Sequence, residues 1–476
     1  MKVFRWRCCM EAPFRSGGEE ATHCEQAPAA LNDCEESSMD AGSRVDGQRR
    51  PEPVRHQRRP GLFRFCSGRP MVVLILLLLC RCGAMAQPAS PPLEWTASWA
   101  SAQQRVCGQD GLPARSFEGA TLRQTIHLSL GGREIRLQLS NLFGMQPLVV
   151  AAVRVARAQP GDPGGIEPGS SVDAFFNGRR GVTVPPGGQV MSDPIPLSVA
   201  PLSSLAVSLW IEKAPLCATS HPGARATSFL LAGDHASDAV LAGSESMPHW
   251  YFLSAVEVEG RSNGAVVAFG DSITDGRGST TDGNDRWTDV LAARLVPVRI
   301  AVLNLGIGGN RLLADGIGPS GLSRFERDAL HQAGVRTVIL LEGVNDLGGL
   351  DRLSVHGSKD HKELVRRLEA AMTQMVEEAH RKGVRVLGGT IMPYAGSAYY
   401  HPGAAEEADR QALNAWIRSS GVFDGVIDFD AMVRDPVEPD RLAPAMGSGD
   451  DLHPGPQGYR VMGDGVPLDL LGVRGP

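Results

Sequence analysis

Aromatic residues are scarce in this chain of 476 residues, and an excess of basic charge is lacking. Phe, Trp and Tyr make up 5% of the residues, and 47 Lys and Arg are outnumbered by 53 Asp and Glu, for a formal net charge of −6. Proteins that bind nucleic acids need a concentrated basic face against the phosphates. The composition therefore argues against nucleic acid as a partner, while 42% apolar residues can fill the cores of a globular protein.

A hydrophobic run long enough to cross a bilayer is also lacking. The run at residues 71–80 is about half of the roughly 20 residues that a spanning helix needs. It follows a basic stretch and precedes Ala84-Met85-Ala86, which is the order of segments in a signal peptide. We therefore expect residues 58–86 to be a signal peptide region, the protein to be secreted or periplasmic, and no stable membrane anchor. Residues 1–57 are predicted to be a disordered extension or the result of an over-extended start.

Cysteine is rare after residue 86, where Cys107 and Cys217 are the only two. An even number of cysteines in an exported chain predicts a disulfide, which would stabilise the fold by about 4 kcal/mol through closure of a long loop. The alternative is two buried free thiols, because spacing alone does not prove pairing. Catalysis by cysteine is excluded from the second half of the chain.

The pattern of apolar residues changes near residue 262. Upstream, apolar and polar residues alternate at 126–130, 135–139 and 205–211, which predicts half-buried antiparallel strands. Stretches rich in Gly and Pro lie between them and mark turns. We therefore expect residues 87–262 to form a β-rich domain of the β-sandwich or jelly-roll type.

Residues 263–476 instead alternate short apolar runs with helical stretches. The runs lie at residues 265–269, 298–303, 338–341, 384–387 and 426–427, and apolar residues recur at helical spacing over 364–379. Wholly apolar strands separated by amphipathic helices are typical of a parallel sheet covered on both faces. Ligands bind such sheets at the carboxyl ends of the strands. The functional residues are therefore expected in the loops that follow the apolar runs.

Four motifs occur in those loops and near the C-terminus. In chain order they are Gly270-Asp271-Ser272-Ile273-Thr274-Asp275-Gly276, Asn304-Leu305-Gly306-Ile307-Gly308-Gly309-Asn310, Gly343-Val344-Asn345-Asp346 and Asp450-Asp451-Leu452-His453-Pro454. Together they resemble the four signature blocks of the SGNH, or GDSL, family of serine esterases and acylhydrolases. The resemblance implies an α/β fold for residues 263–476: a flavodoxin-like, three-layer α/β/α hydrolase domain with a parallel sheet.

The residues in these motifs fit a serine hydrolase. A serine hydroxyl becomes a good nucleophile only when an oriented base removes its proton. Ser272, at a predicted strand-to-helix turn, is the candidate nucleophile, and His453 is the candidate base. Asp450 would orient the imidazole, because the family pattern D-x-x-H selects it over Asp451.

The resemblance also assigns an oxyanion hole, which holds the charge of the tetrahedral intermediate with fixed donors. Its donors would be the backbone N–H groups of Ser272 and Gly309 and the side-chain amide of Asn345. Asp271 and Asp346 stand beside these residues and are interpreted as structural carboxylates that bind loop amides.

Segments outside the motifs are similar to secreted two-domain SGNH esterases related to the xylanase-cluster arylesterase group. These segments are residues 122–129, 139–144, 414–418 and 428–430. This similarity implies an exported esterase that acts on plant-derived or lipid esters. The substrate that we expect is a small-molecule or polysaccharide ester.

The sequence thus predicts a secreted serine ester hydrolase that works through an acyl-enzyme. This mechanism requires neither a metal nor an organic cofactor, and the histidines are too scattered for a zinc site. His401 is either a surface or packing histidine or, together with Tyr399 and Tyr400, lines a substrate groove. Alternatives within the same chemistry are a carbohydrate O-acetyl esterase and a lysophospholipase or lipase-like enzyme. An alternative from another class of function is a glycan-binding protein with a vestigial hydrolase domain.

Overall fold

The computed structural model describes residues 93–107, 117–350 and 358–473. The predicted signal peptide region and the N-terminal extension lie outside the described residues. In the described ranges, none of the helices combines the length and the apolar composition needed to span a bilayer.

The first part of the described chain is built from antiparallel strands. They are β1 (Glu94–Ala100), β2 (Gln104–Val106), β3 (Ala120–His127), β4 (Glu134–Ser140), β5 (Leu148–Gln159), β6 (Asp162–Ile166), β7 (Val172–Ala174), β8 (Val182–Val184), β9 (Gln189–Met191), β10 (Ser204–Lys213), β11 (Ala218–His221), β12 (Ser228–Ala232), β13 (Glu245–Met247), β14 (Trp250–Tyr251) and β15 (Leu253–Gly260). The sheets have the orders β1-β15-β4-β9, β13-β12-β3-β10-β5-β6 and β14-β11-β2, and β7 and β8 also pair with β5.

The predicted β-rich character of this region is confirmed, whereas the sandwich arrangement stays a prediction. The alternating segments 135–139 and 205–211 fall within β4 and β10. The segment 126–130 differs, because β3 ends at His127. Leu128 and Leu130 lie beyond the strand but are buried, so their side chains continue the alternating pattern without strand pairing.

The predicted disulfide between Cys107 and Cys217 is confirmed. Cys107 directly follows β2 and Cys217 directly precedes β11, and these strands pair through Val106 and Ala218. The Cα atoms of the two cysteines are 4.6 Å apart although 110 positions separate them in sequence. The bond therefore locks a strand pair at one end.

The second part of the chain contains the predicted parallel sheet. Its strands are β16 (Ala265–Gly270), β17 (Ala301–Gly306), β18 (Val335–Leu341), β19 (Arg385–Gly389) and β20 (Gly425–Ile427). The strand order is β17-β16-β18-β19-β20, which is the 2-1-3-4-5 order of flavodoxin-like folds. The strand expected over 298–303 begins only at Ala301, because Pro297 lies in a 3₁₀ turn, Val296–Val298.

The helices of this part follow the strands. They are α1 (Ser272–Asp275), α2 (Trp287–Leu295), α3 (Gly321–Phe325), α4 (Val344–Leu347), α5 (Ser358–Arg381), α6 (Ala404–Ser419), α7 (Phe429–Val433) and α8 (Pro456–Gly465). The predicted helix over 364–379 lies within α5, which packs on β19 and α6. Its apolar stripe, including Leu368, Met372 and Met375, is buried.

One hydrophobic core extends through the β-rich region and the parallel sheet. The two are also joined by hydrogen bonds: Val302 N–H in β17 donates to Ser129 Oγ, and Ala97 N–H in β1 donates to the carbonyl of Ala333. The described residues accordingly belong to one compact unit. The predicted domain boundary near residue 262, between β15 and β16, stays a prediction.

The register of the parallel strands determines where the motif loops meet. Gly270 at the end of β16 is paired with Gly306 of β17 and with Leu341 of β18. The carboxyl ends of these three strands are therefore level, and the loops that follow them emerge side by side. The strand order reverses between β16 and β18, which is where ligands bind in open α/β sheets.

Candidate active site

A tight turn places Ser272 at the end of β16. The side chain of Asp271 caps α1 by accepting a hydrogen bond from Ile273 N–H at 2.9 Å, so Ser272 becomes the first helical residue. Gly270 must be a glycine, because a Cβ there would overlap Thr274 and the carbonyl of Leu341. The sequence prediction of a strand-to-helix turn at Ser272 is therefore confirmed.

His453 and Asp450 reach Ser272 from the C-terminal part of the chain. Ser272 Oγ is 2.8 Å from His453 Nε2, and His453 Nδ1 is 2.6 Å from Asp450 Oδ2. Because a carboxylate only accepts, Nδ1 carries the proton donated to Asp450, and Nε2 is left to accept from the serine hydroxyl. Ser272 and His453 are buried, whereas Asp450 is 42% exposed.

The environment of Asp450 keeps it ionised. Burial raises its pKa, but hydrogen bonds from the ring and the backbone N–H of His453 outweigh that effect and hold the pKa well below its usual range. Leu452 N–H and the hydroxyl of Ser448 donate to the same carboxylate. The neighbouring Asp451 is exposed and is absent from this network of bonds.

The loop after β17 presents Gly309 in a conformation that needs glycine. Its φ is +70°, in the left-handed region, and a Cβ there would lie 2.6 Å from Cδ1 of Ile317. The next residue, Asn310, is fixed by two bonds: its amide donates to the carbonyl of Pro319, and its oxygen accepts from Arg324.

Asn345 joins α4 to this loop. Its Nδ2 donates to the backbone carbonyl of Asn310 at 2.6 Å, and its Oδ1 accepts a hydrogen bond from the hydroxyl of Tyr400. The structure thus ties the predicted oxyanion residue Asn345 to the segment that carries Gly309. The bond from Tyr400 had no signal in the sequence, which suggested for this tyrosine only a place in the lining of a substrate groove.

The carboxylates of Asp271 and Asp346 are buried and accept hydrogen bonds from loop N–H groups, as the sequence predicted. Burial raises the pKa of Asp271 to about 7, against the lowering effect of the Ile273 N–H bond. Burial likewise raises the pKa of Asp346 to about 6, and this carboxylate accepts from the N–H groups of Leu312 and Leu313. Both side chains therefore hold loop amides.

Arg324 is a structural residue of the site that the sequence did not reveal. Its guanidinium is fully buried and donates to the carbonyls of Gly270 and Leu305 and to the side chain of Asn310. It also lies over the ring of Phe269, 3.9 Å from the centroid. One side chain thereby fixes the loops after β16 and β17 relative to each other. An arginine in a short helix gives no sequence signal of burial.

The β-rich region also contacts the nucleophile turn. His221 of β11 lies 2.9 Å through Nε2 from Asp275 Oδ1, at the last residue of α1, and 2.7 Å through Nδ1 from the carbonyl of Ala102. Both ionisable side chains are 4% exposed. Since a carbonyl only accepts, Nδ1 is the donor to Ala102, and Nε2 faces the carboxylate of Asp275.

Within residues 93–107, 117–350 and 358–473, no group of three or more His, Cys, Asp or Glu side chains is arranged to hold a metal ion. The expectation of a cofactor-free site stays a prediction.

Comparison with known proteins gives one match to a family profile. The profile of the GDSL-like lipase/acylhydrolase family matches residues 268–461, a segment that contains all four motif regions. No curated protein matches the chain.

Similar solved structures include three esterases or lipases. An aryl esterase of M. smegmatis is 18% identical, with 44% of this chain and 100% of that chain covered and a TM-score of 0.34. A carbohydrate acetylesterase from Sinorhizobium meliloti is 15% identical over 44% of this chain and 98% of its own, with a TM-score of 0.34. A GDSL-like lipase from Bacteroides thetaiotaomicron is 19% identical over 44% of this chain and 89% of its own, with a TM-score of 0.33.

The family predicted from the four motifs is thus the family whose profile matches. Residues 268–461 of this protein form a GDSL-like lipase/acylhydrolase domain.

Proposed function

We propose that the protein is a serine carboxylic-ester hydrolase in which Ser272, His453 and Asp450 act as a triad. The observation that carries the proposal is the continuous hydrogen-bonded series from Ser272 Oγ through the imidazole to Asp450. This is the arrangement in which a base can remove the serine proton while a carboxylate stabilises the resulting imidazolium.

In the proposed reaction, Ser272 Oγ attacks the ester carbonyl carbon while its proton passes to His453 Nε2. The carbonyl oxygen gains negative charge, and the backbone N–H groups of Ser272 and Gly309 and the amide of Asn345 donate to it. Collapse of the intermediate breaks the bond to the alcohol, which leaves with the proton from His453. His453 then takes a proton from a water molecule, which attacks the acyl carbon. The bond from that carbon to Ser272 Oγ breaks, the proton passes from His453 to Oγ, and the acid leaves.

Hydrolysis of p-nitrophenyl acetate by the full chain tests this proposal. We expect Ser272→Ala to lose the activity and the reaction with a fluorophosphonate probe. Ser419→Ala is the matched control, because this hydroxyl is exposed at the end of α6 and, within the described part of the chain, bonds only the carbonyl of Ala415. A Ser272→Ala variant as active as the wild type would refute the assignment of Ser272 as the nucleophile. A wild type that neither hydrolyses the ester nor reacts with the probe would favour the glycan-binding alternative.

The substrate class can be tested by the same comparison of the wild type with Ser272→Ala. Release of acetate from acetylated glycans would identify a carbohydrate O-acetyl esterase, and release of fatty acid from lysophospholipids would identify a lipase-like enzyme. Only release that disappears in Ser272→Ala supports either assignment.

We further propose that the protein works outside the cytoplasm. The order of segments over residues 58–86 supports export, and the bond between Cys107 and Cys217 suits an oxidising compartment. N-terminal sequencing of the protein from an expressing host tests this. A chain that begins near Gln87 is expected, and a chain that keeps residues 58–86 would contradict the proposal.

A further inference from the structure

The hydroxyl of Tyr400 bonds the side chain on which the proposed oxyanion hole depends. Asn345 is 5% exposed and Tyr400 is 9% exposed, so water has little access to either side chain. The hydroxyl donates to Asn345 Oδ1, and on the opposite side of the carboxamide Nδ2 donates to the carbonyl of Asn310. The amide is therefore held at both ends.

This arrangement leaves one N–H of the Asn345 amide for a substrate. A carboxamide has two N–H donors, and Asn310 takes one of them. The second N–H remains for an oxygen that gains negative charge. A flipped amide would bring its oxygen against the carbonyl of Asn310, and Tyr400 would no longer donate to it. The two bonds together therefore select the orientation that offers an N–H.

We propose that Tyr400 is a positioning residue that orients and polarises the Asn345 amide for the oxyanion. The inference rests on the proposed function, because Asn345 must be an oxyanion donor for its orientation to matter. A hydrogen bond accepted by an amide oxygen draws electron density from the nitrogen, and this strengthens the N–H donors of the same group. Tyr400 thus acts through Asn345 and touches no reacting atom.

The ring of Tyr400 is held independently of its hydroxyl. A side chain at Gly348, just after α4, would overlap the ring, so this glycine allows the ring to pack there. Tyr394 and Tyr399 make edge-to-face contacts with it, with centroids 6.1 Å and 4.7 Å away. Replacement by Phe should therefore keep the packing and remove only the hydroxyl.

Tyr394 supplies a matched control for this substitution. It is a buried tyrosine in contact with the Tyr400 ring, and among the described residues its hydroxyl has no hydrogen-bond partner. Tyr394→Phe removes the same atom from the same aromatic cluster but changes no bond to Asn345. We expect its kcat and KM to equal those of the wild type.

The test is a double-mutant cycle on the full chain with p-nitrophenyl acetate. We expect Asn345→Ala to lower kcat about a hundredfold. Tyr400→Phe should lower kcat about threefold to tenfold, which is the usual effect of losing one hydrogen bond, with little change in KM. Added to Asn345→Ala, it should change kcat by less than about twofold, because the residue it acts through is gone. Near-UV circular dichroism and melting temperatures confirm that each variant is folded during the assay.

Each contrary result is informative. An unchanged kcat in Tyr400→Phe, an equal loss in Tyr394→Phe, or the same loss with and without Asn345 would overturn the positioning role while the Ser272 mechanism stands. The mechanism itself fails only if the wild type is inactive or Ser272→Ala remains active, and this result would overturn the positioning role as well.

Discussion

Replacement of Asp450 by Asn tests whether the carboxylate sets the tautomer of His453. The two oxygens of Asp450 have different partners. Oδ1 accepts from Ser448 Oγ, Leu452 N–H and His453 N–H, whereas the one donor to Oδ2 among the described residues is His453 Nδ1. An Asn side chain has one oxygen, and it keeps the most bonds in the Oδ1 position. Its NH₂ group then faces the imidazole.

The consequence of that orientation is a reversed imidazole. An NH₂ group opposite Nδ1 requires Nδ1 to accept, so the ring proton moves to Nε2, which then faces Ser272 Oγ as a donor. A protonated Nε2 cannot remove the serine proton. We therefore expect Asp450→Asn to lower kcat by about 10³–10⁴-fold, the loss seen when a triad carboxylate is replaced by its amide. The fold should tolerate the change, because the side chain is 42% exposed.

The assay is hydrolysis of p-nitrophenyl acetate, with Asp451→Asn as the matched control. Asp451 is exposed and has a φ of +54°, a conformation that Asn adopts readily, so the control removes the same charge one residue away. Its activity should stay within about twofold of the wild type. Asp450→Ala should lose less than Asp450→Asn, since it leaves the ring free to adopt either tautomer. The reasoning is refuted if Asp450→Asn keeps more than a tenth of the activity or if the control loses as much.

Three further outcomes are expected. Gly309→Ala should lower kcat at least tenfold, because φ is +70° and the new Cβ would lie 2.6 Å from the Ile317 side chain. Adding Ile317→Ala removes that clash and should restore only part of the rate. Full restoration would contradict the need for a left-handed φ at residue 309. Loss of the disulfide in Cys107→Ser with Cys217→Ser should lower the melting temperature by roughly 5 °C, because about 4 kcal/mol of loop closure is set against the large unfolding entropy of a unit of this size; an unchanged value by calorimetry would contradict this. Asp271 has its pKa raised to about 7 by burial, so the native state keeps a proton that the unfolded chain releases above about pH 4. Stability should therefore fall from about pH 4 to pH 7, and Asp271→Asn should flatten this slope in urea titrations; an identical slope in the variant would count against the shift.

Much of the site could be predicted from sequence because it is local. The turn at Ser272 depends on its neighbours: Asp271 caps the helix and Gly270 avoids overlap. The parallel sheet could be predicted as well, because strands buried on both faces read as uninterrupted apolar runs. The sequence was less reliable where residues are buried without belonging to a paired strand. Leu128 and Leu130 are an example, because they are buried beyond the end of β3.

The sequence alone determined the order of the elements, the turn at Ser272 and the presence of two cysteines after residue 86, since each depends on residues close together or on simple composition. Only the tertiary structure decided which distant groups meet. His453 is 181 positions from Ser272, Tyr400 is 55 from Asn345, and Arg324 is 54 from the carbonyl of Gly270. These bonds form because the carboxyl ends of the parallel strands are level and the burial of the core fixes the loops there. Neither effect can be predicted from the spacing of the residues in the sequence.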